Sequence, residues 1–476
     1  MPMTSLWILL GTAFALLVEL PIWLNWSRYC FNNWDLGIYA QALARLSWAD
    51  PNPWLSVREV KIFNDHFDPI LFLIAPLAKW LDPALVALAA DSLFVLAGAF
   101  AVAWAVGPRN RLLQWALVAV FLLSRGTLGA LTFPSHPTTW AVLPLVVLMG
   151  FAARESFRGV LAALLTLFLF KEEYVYVGVS LGLFYFFHRR PGPDYRKWGV
   201  TLIAVSAAWA AGVFLIRPKL LGTTVGYTGS LLQPWLENPL GTLRERVLDF
   251  GIIKAWVEFL VPLAPFLYVA KKFQSRLNWA ALAAMVPLFL IRLVAGKWSQ
   301  HYGIALTACL VGLFFSATPS EKALDVDTTR TQVFWRRASL AALLIALLIQ
   351  FPFFGKYSLK TSLRGGLRHC PADPARGKEL RDAQQSLSRF PESVIYAMGN
   401  LVPRLLQHGE VRHLGTNTSD LPSEFIVIVE KAPTGDPWPL GFEGLSRLRQ
   451  GWEKQFATEV LFSGRFVEVK RFYFRM

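Results

Sequence analysis

Residues 159–187 read GVLAALLTLFLF, then KEEY, then VYVGVSLGLFYFF. Two apolar runs of 12 and 13 residues therefore flank Lys171-Glu172-Glu173-Tyr174. Neither run reaches the roughly 20 apolar residues that cross a bilayer unaided. Three adjacent charges left unpaired in hydrocarbon would each cost several kcal/mol. Such a pair is tolerated only where protein or a wet cavity surrounds the turn. The stretch thus predicts two half-length helices inside a larger bundle, joined by a polar turn at one membrane face.

Nine further apolar runs lie outward of this pair, near 5–24, 83–106, 112–130, 138–152, 198–216, 254–270, 278–295, 302–317 and 338–354. The chain has 54% hydrophobic and 17% charged residues, where a soluble domain carries about 25% charged. Disordered chains and most single soluble domains are excluded. The expected class is an all-α polytopic membrane protein of about 11 transmembrane helices. The first run has no basic leader and no small-x-small cleavage motif before Trp23–Tyr29, so it is expected to be a retained helix. Cys30, Cys309 and Cys370 show no disulfide, metal or redox spacing.

A net charge of +15 would suggest nucleic acid in a soluble protein. Here the excess has another address. Alternate loops are basic: Arg109/Arg111, Arg154/Arg158, Arg189/Arg190/Arg196/Lys197, Lys271/Lys272/Arg276 and Lys322/Arg330/Arg336/Arg337. These loops carry +10, the tail from 355 carries +5, and the remainder is neutral. The positive-inside rule puts the basic loops in the cytoplasm, and nucleic acid is not expected as a partner. The N-terminus is then cytoplasmic in a multi-pass protein of the inner membrane. Loops 25–82, 131–137, 171–174, 217–253 and 296–301 face outward, as does everything after 354.

Two outward regions are large. In 25–82, Leu36, Tyr39, Ala40, Leu43 and Leu46 recur at helical spacing. Ile70–Trp80, interrupted by Pro76, suits a helix lying at the interface. Residues 1–354 form the expected transmembrane domain and 355–476 an extracytoplasmic α/β domain. In the tail, β-like runs (Ser393–Ala397, Phe425–Val429, Glu459–Phe462, Phe466–Tyr473) alternate with helix-like ones (Asn400–His408, Glu443–Phe456).

The candidate site residues are sided. Asp35, Asp65, His66, Asp68, His136, Lys171, Glu172, Glu173, Lys297, Gln300 and His301 all fall in outward loops or at outward ends of runs. An ion pathway needs polar groups through the bilayer depth; this distribution describes a polar cavity at one face. Each residue also has a plainer reading. Asp35, before an apolar-periodic run, is either a general base or a helix N-cap. In Asn64-Asp65-His66-Phe67-Asp68-Pro69, His66 and Asp68 could bind phosphate or metal, or Asp68 could cap a helix beginning at Pro69. His136, before Pro137, is also a natural turn residue. Lys171 and the two glutamates could close their turn as a simple pair. Lys297-Trp298-Ser299-Gln300-His301-Tyr302 could hold an anionic head group, or form an aromatic belt with a snorkelling lysine. A divalent cation is the one cofactor these loops leave open, without diagnostic ligand spacing. The sequence has no Gly-rich phosphate loop, Ser–His–Asp signature or CxxC.

Several of these stretches carry a resemblance. Trp34-Asp35-Leu36-Gly37-Ile38-Tyr39-x-Gln41-Ala42-Leu43 and Asn64-Asp65-His66-Phe67-Asp68-Pro69-Ile70-Leu71 with Ala75-Pro76-Leu77 are similar to a prokaryotic membrane-protein family, domain of unknown function 2079. Phe133–Pro137, Lys171-Glu172-Glu173, Gln300-His301-Tyr302, Ser393–Ala397 and Asn400–Pro403 resemble it too, so that nearly the whole chain is covered. That family resembles the GT-C superfamily of polyprenyl-phosphate-sugar glycosyltransferases, which carry an acidic residue in the first outward loop. Asp35 occupies that place. Several GT-C families have paired acids there, whereas Asp35 is followed by Leu36.

The resemblance implies sugar transfer from a polyprenyl-phosphate donor in the membrane to an extracytoplasmic glycan, lipid or protein acceptor. In that account Asp35 is the base. Lys297 or His301, with Lys171, neutralises the leaving phosphate, and Glu172, Glu173, Asp65 and His66 line the sugar pocket or hold a cation. Two other functions stay open: a transporter or lipid flippase, which would need midplane polar residues and inverted repeats, and a non-catalytic cell-envelope scaffold that binds through its tail.

Overall fold

A computed structural model describes residues 11–12, 14–29, 34–107, 111–133, 135–188, 193–221, 233–248, 250–296, 302–316, 328–357, 373–414, 421–431 and 440–474. The chain divides into two units. One comprises Met1–Ile62, Leu71–Leu88 and Pro352–Met476; the other comprises Phe63–Ile70 and Ala89–Phe351.

Each predicted run contains helix among its described residues, with 169–170 and 313–316 closing two of them as turns. By length and apolarity, Pro83–Val106 and Tyr195–Leu221 can cross a membrane as single helices. Several runs that read as continuous are broken in the structure. Arg111–Leu123 and Arg125–Thr132 meet at a bend of 42°. Ser124 makes this break by capping the second helix, its Oγ accepting from Thr127 N at 3.2 Å. A 3-10 turn at Val261–Leu263, containing Pro262, separates Phe250–Leu260 from Ala264–Lys272.

The deciding stretch folds as two short helices, Phe157–Phe168 and Val175–Phe187, joined by an extended Lys171 and the 3-10 turn Glu172–Tyr174. Val175–Phe187 packs backbone to backbone on Tyr195–Ala211: a Cβ at Gly199 would lie 2.6 Å from the Gly182 carbonyl oxygen. Small residues permit such close helix pairs in membranes.

The first unit contains a short antiparallel pair, β1 Trp54–Leu55 and β2 Val60–Lys61, and a five-stranded sheet of order β4-β3-β5-β7-β6, with β3 Val394–Ala397, β4 Glu410–His413, β5 Glu424–Glu430, β6 Phe456–Ser463 and β7 Val467–Phe474. β3 is parallel to β4 and β5; β7 is antiparallel to β5 and β6. Strand alternation puts Phe425 and Phe472 on one face, where they stack at 5.0 Å and meet Trp452 of the Gly441–Gln455 helix. β4 and the polar helix Pro374–Leu387 were not expected, and the predicted helix Asn400–His408 shrinks to Val402–Leu405. Ile70–Trp80 is an α turn, Leu71–Ile74, followed by 3-10 Ala75–Lys79, because Pro76 supplies no N–H. Leu73, Leu77 and Trp80 of this segment are exposed, as an interfacial segment requires.

Candidate functional site

Within the second unit, two pieces of chain bring most of the candidate residues together. One is 63–70 and the other the Lys171–Tyr174 turn. Ile70 N donates to Leu169 O at 2.8 Å and fixes them side by side. His66 Nδ1 lies 3.0 Å from Glu172 Oε1, and Phe67 N donates to Glu172 Oε2 at 2.9 Å. A carboxylate only accepts, so Nδ1 carries the proton in this pair. Burial pushes Glu172 up, but His66, Lys171 and the Phe67 N–H outweigh that and bring its carboxyl to about 2. Burial and Lys171 push His66 down, while Glu172 and Asp65 more than compensate and hold its imidazole above the ordinary value.

Glu173 and Lys171 face a different partner. Arg292, inside the Trp279–Ala295 helix, grips Glu173 bidentately at 2.6 and 3.1 Å, and both side chains are buried. Burial raises the Glu173 carboxyl, and Arg292 and Lys171 more than reverse it. Burial lowers the Lys171 ammonium, and Glu173 and Glu172 raise it further than burial lowers it. The turn is therefore an alternating network of His66, Glu172, Lys171, Glu173 and Arg292. Neither glutamate forms the simple pair with Lys171 that sequence left open; each has a second cation.

His136 is the N-cap of Pro137–Trp140, its Nδ1 accepting from Thr138 N at 3.2 Å. That bond assigns the neutral ring's proton to Nε2. The cap does not remove it from the cluster: its ring is 5.8 Å from that of His66 and 6.3 Å from that of Tyr302. Asp68 is fully buried, three residues ahead of the helix that begins at Leu71. Its charge interacts with Arg217 and Tyr174. The Arg217 guanidinium also sits 5.4 Å over the Phe67 ring. Ser135 Oγ, Thr138 Oγ1 and the Tyr174 hydroxyl are buried here without a hydrogen-bond partner. Bare polar atoms of this kind suit a ligand or water.

Asp35 belongs to the first unit. It stands in the first turn of Trp34–Arg45, partly exposed, where a carboxylate also suits the positive helix end. That helix is rigidly seated, with Leu36, Ala40 and Leu43 fully buried. Gln41 bonds Ser56 Oγ at 2.8 Å and Val57 N at 3.1 Å. A Cβ on Gly37 would come within 2.8 Å of Val402 Cγ1. Lys297, Gln300 and His301 lie outside the described residues.

Sequence reasoning missed Arg292 and Arg217. Both sit inside apolar helices, and an arginine there is itself a signal of a buried acidic partner. Among the described residues no three His, Cys, Asp or Glu are grouped to hold a metal ion.

A family model described as a predicted membrane protein, DUF2079, matches residues 28–439. The chain belongs to that family. No curated protein matches it. Among solved structures, ArnT from Cupriavidus metallidurans bound to undecaprenyl phosphate aligns over 98% of this chain and 98% of its own, at 13% identity and TM-score 0.57. The apo state of ArnT from the same organism aligns over the same shares with TM-score 0.55. The family's fold in this chain is thus ArnT-like, the GT-C architecture its loop motifs resemble, and the chain is a multi-pass membrane protein. At 13% identity the likeness concerns fold alone.

Proposed function

We propose that this chain is a membrane glycosyltransferase that moves a hexosyl or pentosyl group from a polyprenyl-phosphate-linked donor to an acceptor outside the cytoplasmic membrane. The observation that carries this reading is the likeness of the whole chain to an ArnT whose structure holds undecaprenyl phosphate. The polar cluster at the Lys171–Tyr174 turn supports it.

In this reaction the acceptor oxygen attacks the anomeric carbon, the bond from that carbon to the phosphate oxygen breaks, and polyprenyl phosphate leaves. Asp35 takes the acceptor proton as general base. Lys171, Arg217, Lys297 and His301 are the cations available to balance charge growing on the departing phosphate. His66 with Glu172, together with Asp65, Asp68, His136 and Gln300, supplies the hydrogen-bonding groups a sugar needs. Glu173 is committed to Arg292 and acts by holding the turn in place. The tail recognises the acceptor.

The test is glycan and lipid profiling by mass spectrometry of cells lacking the gene, complemented with wild type or Asp35→Asn. The variant should reach the membrane at normal level and lose product by about 10²-fold or more, the usual worth of a general base. Wild-type product from this variant overturns the base role. Donor flux in sealed vesicles with no transferred sugar would instead make the protein a flippase.

A further inference from the structure

The opposite, basic-loop ends of the second unit's helices enclose a separate hollow. Its empty space, counted out into open solvent at the mouth, is about 370 Å³. Its floor is Asn278, whose Nδ2 donates to Met149 O and Gly312 O at 3.1 Å each, tying three chain segments together. Its wall is aromatic. Tyr185 and Tyr195 stack with their rings 5.9 Å apart and nearly parallel, and His188 meets Tyr195 edge-on at 4.8 Å. Tyr185 is 3% exposed and its buried hydroxyl has no hydrogen-bond partner. At the mouth, Glu155 and Arg276 form an ion pair, with the arginine side chain 51% and the glutamate 33% exposed.

Two features point to a ligand. A phenol hydroxyl left bare on the wall of a cavity is costly unless something occupies the space. The mouth presents one carboxylate and one guanidinium side by side, and exposed pairs of that kind exchange partners at little cost. Glu155 is placed there by the end of Val142–Ala153, where it holds φ +53° while Ser156 N donates to Phe151 O at 3.0 Å. Beside the hollow, Leu183 and Phe187 are 45% and 70% exposed and offer apolar surface that acyl chains would cover. Trp279 at the rim is 47% exposed, as in an interfacial aromatic belt.

We propose that this hollow binds the head group of a phosphoethanolamine phospholipid from the leaflet on the basic-loop side. The ammonium lies against Glu155 and the face of the Tyr185–Tyr195 stack. The phosphate takes Arg276 and accepts from the Tyr185 hydroxyl, and the chains run along Leu183 and Phe187. A carboxylate and a guanidinium together match a zwitterion. A purely anionic glycerol head group would leave Glu155 facing a like charge, and a quaternary choline would offer Glu155 no N–H.

The test uses the full-length protein, delipidated in detergent and re-titrated with short-chain phosphatidylethanolamine, phosphatidylglycerol or phosphatidylcholine, with bound lipid counted by native mass spectrometry. Phosphatidylethanolamine should bind at one per chain, in preference to the other two. Glu155→Gln should weaken it by about tenfold, as loss of one partner in a charge pair does. Tyr185→Phe is the milder second variant should Glu155→Gln fail to fold, and it should weaken binding severalfold. Equal binding of phosphatidylglycerol, or unchanged binding in the variant that folds, overturns the proposal. So does full displacement by free phosphoethanolamine, which would make the site one for a soluble amine phosphate.

Discussion

At the residue scale, the pair His66–Glu172 makes a pH prediction with a definite sign. The imidazole is held above its ordinary 6.5, so its contribution to stability is complete below pH 6.5 and is lost as pH rises through the raised value. Glu172 is depressed from 4.5 to about 2, so its contribution is complete above 4.5 and is lost as pH falls through about 2. Both contributions are therefore full between pH 4.5 and 6.5. His66→Gln should lower the melting temperature of the purified protein at pH 6, and the gap to wild type should narrow by pH 9. The effect should be about 1 kcal/mol or less, because solvent screens side chains that are 24% and 22% exposed. A gap of the same size at both pH values would show that the pair does not titrate as the geometry requires. The identity of these residues was legible as charges that could not stay bare at membrane depth. Their pairing was not. Lys171 neighbours both glutamates in sequence, yet each glutamate reaches a cation more than 100 positions away, as the separations to His66 and Arg292 show.

At the element scale, the tail's cations close the first helix. Leu20–Ser27 ends with carbonyls that no later helical N–H can satisfy. Arg404 donates to Trp26 O and stacks on the Trp26 ring at 3.5 Å. Arg376 donates to Arg28 O at 2.6 Å, and Asn400 to Tyr29 O at 3.3 Å. Arg376 is itself gripped bidentately by Glu430, both donor–acceptor distances being 2.7 Å, and both side chains are buried. Positive groups at a helix C-terminus also complement its dipole. Arg376→Met should cost about 3–5 kcal/mol, because it leaves Glu430 buried without its cation. Arg376→Met with Glu430→Leu should recover most of that. Hydrogen exchange should report the loss at both 20–29 and 424–430, and protection unchanged at 20–29 would refute the link. Periodicity found the apolar strands β3 and β5 because alternation and apolar runs are local. It missed β4, Glu-Val-Arg-His, and Pro374–Leu387, where polar sequence becomes ordered only through partners such as Tyr29 Oη, which donates to Gln384 Oε1 at 3.0 Å. Breaks such as Ser124 were equally hidden, since a serine cap costs an apolar run nothing in hydropathy.

At the scale of the whole molecule, the helical membrane class was legible because hydrocarbon tolerates so few solutions. The same physics predicts orientation. The basic loops hold +10 of the net +15, while the remaining helices and outward loops are neutral. Translocating a short loop dense in Lys and Arg is the step that the membrane resists most. The tail carries +5 over more than 100 residues, and long segments translocate largely regardless of charge, so its basic excess is no obstacle. The charge balance therefore predicts a tail outside the cytoplasm, after the long Thr328–Tyr357 helix, whose N-terminal part bears Arg330, Arg336 and Arg337. Alkaline phosphatase fused after Met476 should be active, because it needs an oxidising exterior to fold, and green fluorescent protein at the same point should be dark. Both fusions placed in 318–327 should give the opposite pattern. Replacing Arg330, Arg336 and Arg337 with glutamine should weaken the anchor of that last helix and let a fraction of the tail fusions invert, the direction expected if these charges set its orientation. A dark phosphatase and bright fluorescence after Met476 in the unaltered chain would put the tail in the cytoplasm, and with it any acceptor the tail recognises.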